Sequence, residues 1–195
     1  SNSALLSPRS RQTRQLPDVE LPPRNLEIAR EITHLVTDEP TLRVSYRNRQ
    51  KYMKMLREVF LDEGVPERLI NLAMVESKFD PNKRSPAGAV GLWQFMKDTG
   101  RLYGLEISWT DDQRKDPILS TIAAARHLYD LYSKFGDWYL AIAAYNGGVS
   151  AVESACRASG SRNFERLARS GLLPSETVQF VHRFVAVTTV FENPE

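Results

Sequence analysis

A single glutamate ends a stretch of apolar residues. Glu76 follows residues 69–75, in which leucine, isoleucine, alanine, methionine and valine recur with helical rather than alternating spacing. A carboxylate among apolar neighbours is costly unless it is paired or protonated, and burial raises the pKa of a carboxyl group. Such a group can act as a general acid near neutral pH and protonate a leaving oxygen. The alternative is a structural carboxylate that caps a neighbouring helix or satisfies buried backbone.

A loop and a short aromatic motif follow Glu76. We expect Asp80 to end the helix, because a residue before proline is disfavoured in the α region. The motif GLWQF at 91–95 then offers a glycine that permits close approach, a ring and an amide. A ring face and an amide suit the C–H faces and hydroxyl edges of a sugar. For Trp93 a packed core position is the better explanation, whereas Gln94 fits a ligand contact and a capping role equally.

A polar pair ends the next apolar helix pattern, at Tyr145 and Asn146, and two glycines follow it. The tyrosine hydroxyl can donate a hydrogen bond to Glu76 or to a ligand, and the Asn146 amide can both donate and accept. The alternative is helix C-capping, in which asparagine and glycine are common. Capping accounts fully for Gly147 and partly for Asn146.

Composition excludes several classes of protein. The 195 residues are 42% hydrophobic and 26% charged, as in an ordinary globular domain. A net charge of +2 is too small to predict binding to nucleic acid. The single cysteine, Cys156, cannot form an intrachain disulfide. No apolar run approaches the roughly 18 residues of a membrane span, and the start at Ser1 suggests that any targeting segment has been trimmed.

Other polar residues are weaker candidates for chemistry. The three histidines, His34, His127 and His182, lack the spacing of metal ligands, and no phosphate-binding glycine loop is present. We therefore predict neither a metal nor an organic cofactor. The charged turn at 111–116 is expected to be a local ion-pair network rather than a site.

The elements that must position these residues are helical. Residues 1–23 are rich in proline and are expected to form an extended tether or strap, and 24–195 a single helical domain. Asp116 and Asp137 are predicted helix caps. The predicted helices cover about 25–37, 44–63, 66–79, 95–103, 117–135, 138–145, 149–157, 164–168 and 176–191. The predicted fold class is all-α.

Taken together, these segments resemble the soluble lytic transglycosylase (SLT) domain. The matching pieces occur in the family's order over roughly residues 45 to 190. They are Glu76-Ser77, Ser85 to Gly88, the 91–95 motif, Asp112-x-Arg114-x-Asp116-Pro117, Ser120-Thr121 with the alanines that follow, Asp137-Trp138, Ala144-Tyr145-Asn146-x-Gly148 and Leu173-Pro174-x-Glu176-Thr177.

The resemblance implies a lysozyme-like helical fold, of the goose-type lysozyme and SLT kind. It implies cleavage of the β-1,4 bond between N-acetylmuramic acid and N-acetylglucosamine in peptidoglycan, with the muramyl C6 hydroxyl closing a 1,6-anhydro ring. Glu76 matches the family's catalytic acid, which then acts as base. Substrate-binding positions are implied at Ser77, Ser85, Gly88, Gln94, Phe95, Tyr145, Asn146 and Phe180.

One carboxylate is compatible with this chemistry. Most glycosidases use two acids that flank the bond, but we find no second acid in an apolar setting like that of Glu76, and Asp80 lies in a turn. A single acid suffices if the sugar's N-acetyl group stabilises the cation and its own hydroxyl attacks. Intramolecular attack also benefits from a high effective concentration.

One position departs from the family pattern. Phe180 stands where the family usually has a tyrosine facing the active site, so a hydrogen bond to the catalytic carboxyl is missing. A degenerate domain that binds peptidoglycan without cutting it is therefore one alternative. A goose-type-lysozyme-like hydrolase is another, although water would then need a second activating acid.

The family also implies a setting. Its members act on peptidoglycan glycan strands in the bacterial periplasm or outer envelope, so a signal or lipid anchor trimmed from this chain is expected. The sequence does not distinguish cleavage at chain ends from cleavage within a glycan, and it does not specify an oligomeric state.

Overall fold

The structure, a computed structural model, describes residues 14–23 and 25–192. Within these ranges the α-helices are α1 Leu26–Thr37, α2 Glu39–Asp62, α3 Leu72–Ser77, α4 Lys97–Leu102, α5 Pro117–Phe135, α6 Trp138–Gly147, α7 Val149–Ser159, α8 Phe164–Arg169 and α9 Ser175–Glu192. Short 3-10 helices cover Glu67–Asn71 and Gln113–Lys115. Over the same ranges, β structure is limited to isolated bridges. The all-α fold class is confirmed.

One helix boundary near the start of the chain differs clearly from the sequence prediction. The second helix begins at Glu39 rather than at about residue 44, and it follows the first after a single residue. The Asp38 side chain accepts a hydrogen bond from the Thr41 amide, and Pro40 lies in the first turn, where its missing N–H is not needed. Residues 38–40 therefore both end α1 and begin α2.

The segment that carries Glu76 is also divided differently. The predicted single helix is a 3-10 turn, Glu67–Asn71, followed by the six-residue α3. Helix α3 ends at Ser77, before Asp80, because Lys78 adopts left-handed backbone angles. Helix α4 starts at Lys97 rather than Phe95, since Phe95 instead pairs with Val90 in an antiparallel bridge.

Both predicted aspartate caps are confirmed. Asp116 Oδ1 accepts from the amides of Ile118 and Leu119, each at 2.8 Å. Asp137 Oδ1 accepts from the Leu140 amide at 2.9 Å. These caps satisfy the otherwise unpaired N–H groups at the starts of α5 and α6.

The described chain divides into two compact units. Unit 1 comprises residues 14–20 and 35–129, and unit 2 comprises 21–23, 25–34 and 130–192. The core of unit 1 centres on Trp93, which is fully buried and stacks on Phe60 with ring centroids 5.5 Å apart. The three alanines at 123–125 on α5 are fully buried, which permits close helix approach.

Part of the predicted strap lies against unit 1. Val19 is fully buried, and its carbonyl accepts from Arg68 Nη1 at 2.7 Å. Asp18 pairs with the same arginine at 3.1 Å, and the Leu16 amide donates to the Gly64 carbonyl at 3.0 Å. Residues 1–13 of the predicted strap lie outside the described residues.

Unit 2 is built on α6, which packs against α7 and α9. Residues 140–144 are buried on every face, as the nearly continuous apolar sequence predicts. Trp138, at the start of this helix, contacts Tyr132 with ring centroids 4.3 Å apart. No helix in the described ranges combines the length and the apolar character needed to cross a membrane.

Candidate active site

Glu76 lies in the last turn of α3 and is half-buried. The apolar sequence before Glu76 predicts a more deeply buried carboxylate. Residues 72–74 and Ser77 of α3 are buried, whereas Val75 and Glu76 lie on the side of the helix that is partly open to solvent. The carboxyl group thus has an apolar helix behind it and partial access to solvent.

The turn after Glu76 has an unusual backbone. Lys78 and Phe79 both have φ of 58°, although neither is a glycine. Their amides donate to the carbonyls of Met74 and Ala73, at 3.0 and 3.1 Å, and so satisfy the end of α3. The Phe79 ring is fully buried, which anchors the turn. Strain of this kind costs on the order of 1–3 kcal/mol per residue and clusters at functional sites.

Ser77 connects the end of α3 to the aromatic motif. Its side chain is buried, and Oγ donates to the Leu92 carbonyl at 2.8 Å while accepting from the Asp80 amide at 3.2 Å. The residue next to Glu76 is therefore fixed to two segments. This geometry suits Ser77 to positioning the glutamate rather than to contacting a ligand.

Gln94 is the third non-glycine residue with positive φ, at 50°. Its Nε2 donates to the carbonyls of Gly91 and Lys83, at 2.9 and 3.2 Å. These contacts match the capping role that the sequence left open. The hydrogen bonds described for this side chain use its amide nitrogen, so its amide oxygen can still accept from a ligand.

Gly91 permits a close backbone contact that no other residue could make. A Cβ built at this position would lie 1.9 Å from the Arg114 carbonyl oxygen, and φ is +91°. The backbone of the 91–95 motif therefore rests directly on the backbone of the 112–116 turn.

The turn itself is organised by an ion pair between the buried Arg114 and the half-buried Asp112. Arg114 Nε and Nη2 each donate to Asp112 at 2.8 Å, while Nη1 donates to the carbonyls of Gly88 and Phe95 at 3.0 Å. The hydrogen bonds from Arg114 hold the pKa of the Asp112 carboxyl below its usual value. The predicted ion-pair network is thus confirmed for Asp112 and Arg114, and it fixes the loop between Glu76 and the motif.

The remaining unit 1 candidates lie in or next to this loop. Ser85 is half-buried, and its Oγ accepts from the Ala89 amide at 3.0 Å, whereas Gly88 is exposed with φ of +91°. The Phe95 ring is buried and lies 6.2 Å from the ring of His127. Trp93 Nε1 donates to the Thr121 hydroxyl at 3.0 Å, so its packed position is confirmed.

The last three candidates belong to unit 2. Tyr145 and Asn146 are half-buried in the last turn of α6, and Phe180 is buried on α9. Asn146 Oδ1 accepts from Thr177 Oγ1 at 3.0 Å. A Cβ at Gly147 would lie 2.6 Å from the same hydroxyl oxygen. Thr177 therefore fixes the end of α6 against α9, a role that the sequence did not predict because it depends on a contact between distant segments.

Comparisons with known proteins identify the family. Residues 60–168 match the model described as "Transglycosylase SLT domain". This match covers more than half of the chain, which therefore belongs to the Transglycosylase SLT domain family.

Particular relatives share the same domain. The chain is 37% identical over 145 residues to membrane-bound lytic murein transglycosylase D of Escherichia coli K12, covering 74% of this chain and 32% of that protein. It is 42% identical over 82 residues to peptidoglycan transglycosylase gp16 of Escherichia phage T7, covering 41% of this chain and 6% of that protein. The chain therefore spans about a third of the E. coli relative.

A solved structure supports the fold. Lytic transglycosylase Slt from Pseudomonas aeruginosa, determined as an inactive mutant with glutamine in place of a glutamate, superposes with a TM-score of 0.62 at 25% identity. The match covers 73% of this chain and 24% of that one. The lysozyme-like helical fold is confirmed.

Proposed function

We propose that the chain is the catalytic domain of a peptidoglycan lytic transglycosylase in which Glu76 is the only acid–base residue. The observation that carries the proposal is the construction around Glu76: a half-buried carboxylate followed by two strained residues and tied through Ser77 to the family motif. Preorganisation of this kind suits a group that must donate a proton at a fixed point. The names of the relatives support the same reaction class.

The proposed reaction needs one carboxyl group in two steps. Glu76 first protonates the bridging oxygen of the β-1,4 bond, so that the N-acetylglucosamine leaves as an alcohol. The N-acetyl group of the muramyl residue stabilises the cation at C1. The Glu76 carboxylate then takes the proton of the muramyl C6 hydroxyl, whose oxygen bonds to C1 and closes the 1,6-anhydro ring. The proton given in the first step is recovered in the second.

The surroundings of Asp80 support a mechanism with one acid. Asp80 is half-buried, and its Oδ1 accepts from the Asn82 amide at 2.8 Å within the turn. This hydrogen bond holds the carboxylate of Asp80, the next acid after Glu76 in the sequence, to the backbone of its own turn. A hydrolase would need a second acid placed to activate water.

The other candidates take supporting roles in this proposal. Ser77 orients Glu76, and the Gln94 amide oxygen accepts from a sugar hydroxyl. On unit 1 the turn from Ser85 to Gly88 contacts the substrate, and Phe95, whose ring is buried, supports the neighbouring motif from within. For Tyr145, Asn146 and Phe180, which belong to unit 2, substrate binding stays a prediction. The substrate would be peptidoglycan glycan strands in the bacterial envelope, in keeping with the membrane-bound relatives.

Product analysis tests the reaction class. Purified sacculi are digested with the chain, and the soluble muropeptides are separated and weighed by mass spectrometry. We expect ends with anhydro-muramic acid, one water lighter than hydrolysed ends. Free reducing ends would contradict the transglycosylase proposal and support the hydrolase. Binding to sacculi with no soluble product would support a degenerate binding domain.

A further inference from the structure

Unit 1 contains a cavity apart from the residues around Glu76. Its volume is about 660 Å³, within the usual range for small-ligand sites. The loop of residues 107–116 forms most of it, with Arg84, Lys97 and Leu119 completing the lining. Among the described residues, Glu76, Ser77 and Gln94 do not line this cavity. The reaction proposed above therefore leaves it unexplained.

A fully exposed tryptophan lies at this cavity. Trp109 is 100% exposed, while the chain's two other tryptophans, Trp93 and Trp138, are buried. The turn that holds it is ordered by hydrogen bonds: the Ser108 amide donates to the Asp111 carbonyl at 2.7 Å, and the Asp111 amide donates to Ser108 Oγ at 3.0 Å. An ordered turn that holds an indole in water provides a preformed stacking surface.

The charges around the cavity favour an anionic ligand. Asp112 is neutralised by Arg114, and Asp116 is engaged as the cap of α5. A capping carboxylate keeps its charge, so the other charged lining residues are the cationic Arg84, Lys97 and Lys115 and the anionic Asp111 and Asp116, which leaves a surplus of one positive charge. Arg84 approaches Asp112 only to 4.0 Å, so it can still receive a carboxylate.

We propose that this cavity binds the carboxylate-bearing peptides attached to the glycan strands of peptidoglycan. Trp109 packs against the small apolar side chains of the peptide, and Arg84 and Lys97 pair with its free carboxylates. The identity of the ligand rests on the function proposed above. The cavity, the exposed Trp109 ring and the positive charge of the lining are observed independently of that function. The chain would therefore hold peptide-bearing strands more tightly than bare glycan.

Tryptophan fluorescence tests this directly. Because Trp109 is the exposed tryptophan, acrylamide quenching reports mainly on it. The probes are the tripeptide L-alanyl-γ-D-glutamyl-meso-diaminopimelate, its carboxamide form and chitotetraose, a peptide-free glycan. We expect the free tripeptide to protect Trp109 from quenching in a saturable way, and the other two to have little effect. No protection by the tripeptide, or equal protection by its carboxamide form or by chitotetraose, would overturn the proposal.

Matched variants separate charge from folding. Arg84→Glu and Lys97→Glu should each raise the tripeptide Kd about tenfold, whereas Lys54→Glu, an exposed lysine of unit 1 outside the cavity, should leave it unchanged. Isothermal titration of Trp109→Ala, beside the exposed control Leu102→Ala, should show weaker binding only for the tryptophan variant. Equal affinities across these pairs would contradict the proposed contacts.

The two proposals can fail separately. Sacculus cleavage is measured on intact sacculi and on sacculi stripped of peptides by an amidase. If cleavage is normal but the tripeptide does not bind, the cavity proposal fails and the transglycosylase proposal stands. If the tripeptide binds but neither form of sacculus is cut, the catalytic proposal fails and the binding site stands.

Discussion

At the residue scale, the candidate site depends on backbone conformations that side chains rarely adopt. Lys78 and Phe79, shortly after Glu76, and Gln94, within the aromatic motif, all have positive φ. The buried ring holds Phe79, the side-chain amide of Gln94 donates to two carbonyls, and the backbone amide of Lys78 donates to the Met74 carbonyl. We infer stored backbone strain here from these observed φ values.

Alanine substitutions at two glycines test the close contact between Gly91 and the Arg114 carbonyl. Gly91→Ala should lower the free energy of unfolding by about 3 kcal/mol or more, because strain at φ +91° is joined by a clash with the Arg114 carbonyl. Gly88→Ala has the same φ but no atom within 4 Å of its new Cβ, so only about 1–2 kcal/mol is expected. Urea unfolding measures both. Equal losses would mean that the contact adds nothing.

At the level of single residues, the sequence predicted part of the candidate site. A packed position for Trp93 and a capping role for Gln94 were both among the predicted alternatives, because an indole ring and a side-chain amide each make only a few kinds of contact. The sequence placed Glu76 too deep, because an apolar neighbourhood in sequence does not show which side of a short helix is open to solvent. It gave no sign of the strained Lys78 and Phe79, because distant packing imposes those angles.

At the element scale, the loop between Glu76 and the motif is held by the Asp112–Arg114 pair. Removing one partner of a buried pair leaves the other charge uncompensated. Asp112→Asn should therefore destabilise the chain by about 2–3 kcal/mol near neutral pH and loosen the loop from Gly88 to Phe95. Urea unfolding of the variant, beside the control Asp111→Asn at the exposed neighbour, measures the loss.

The same pair predicts a pH dependence. The folded-state pKa of Asp112 is depressed, so its contribution is complete above the unfolded value of about 3.9 and is lost as pH falls through the folded pKa. The stability difference between parent and Asp112→Asn should be constant from pH 7 to about pH 5 and shrink below about pH 4. A difference that persists unchanged at lower pH would exclude the carboxylate as its source.

The contact between α6 and α9 supports a second element-scale prediction. Thr177→Val keeps the shape of the side chain but removes its hydrogen bond to Asn146, so about 1 kcal/mol of stability should be lost. If Asn146 binds substrate, sacculus cleavage should also fall several-fold. Thr189→Val is the control, since that hydroxyl donates to the Val185 carbonyl within α9. Equal cleavage by the two variants would remove Asn146 from the proposed site.

Caps and apolar periodicity predicted most elements correctly. Asp116 and Asp137 begin helices as expected because their carboxylates satisfy amides within the same turn. The early start at Glu39 was missed because Asp38 and Pro40 favour both the end and the beginning of a helix. Thr177 was missed for another reason, since its partner lies 31 residues away.

At the scale of the whole molecule, the predicted site residues belong to both compact units. Glu76 and the 91–95 motif lie in unit 1, and Tyr145, Asn146 and Phe180 in unit 2. The family match over residues 60–168 takes in parts of both units. The ordered motifs predicted the fold and family because their order is specific to one architecture. The Trp109 cavity shares residues with the Asp112-x-Arg114-x-Asp116 motif, but those residue types do not show that a cavity forms there, so it became visible only in the structure.

The most direct test of the central claim is the rate of sacculus solubilisation by Glu76→Gln, measured together with binding to the same sacculi. The amide cannot donate or recover the proton, so the rate should fall by about a hundredfold or more while binding persists. Glu58→Gln, at an exposed glutamate of α2, should keep the parent rate. A Glu76→Gln protein that releases anhydro-muropeptides as fast as the parent would show that the proton comes from another group.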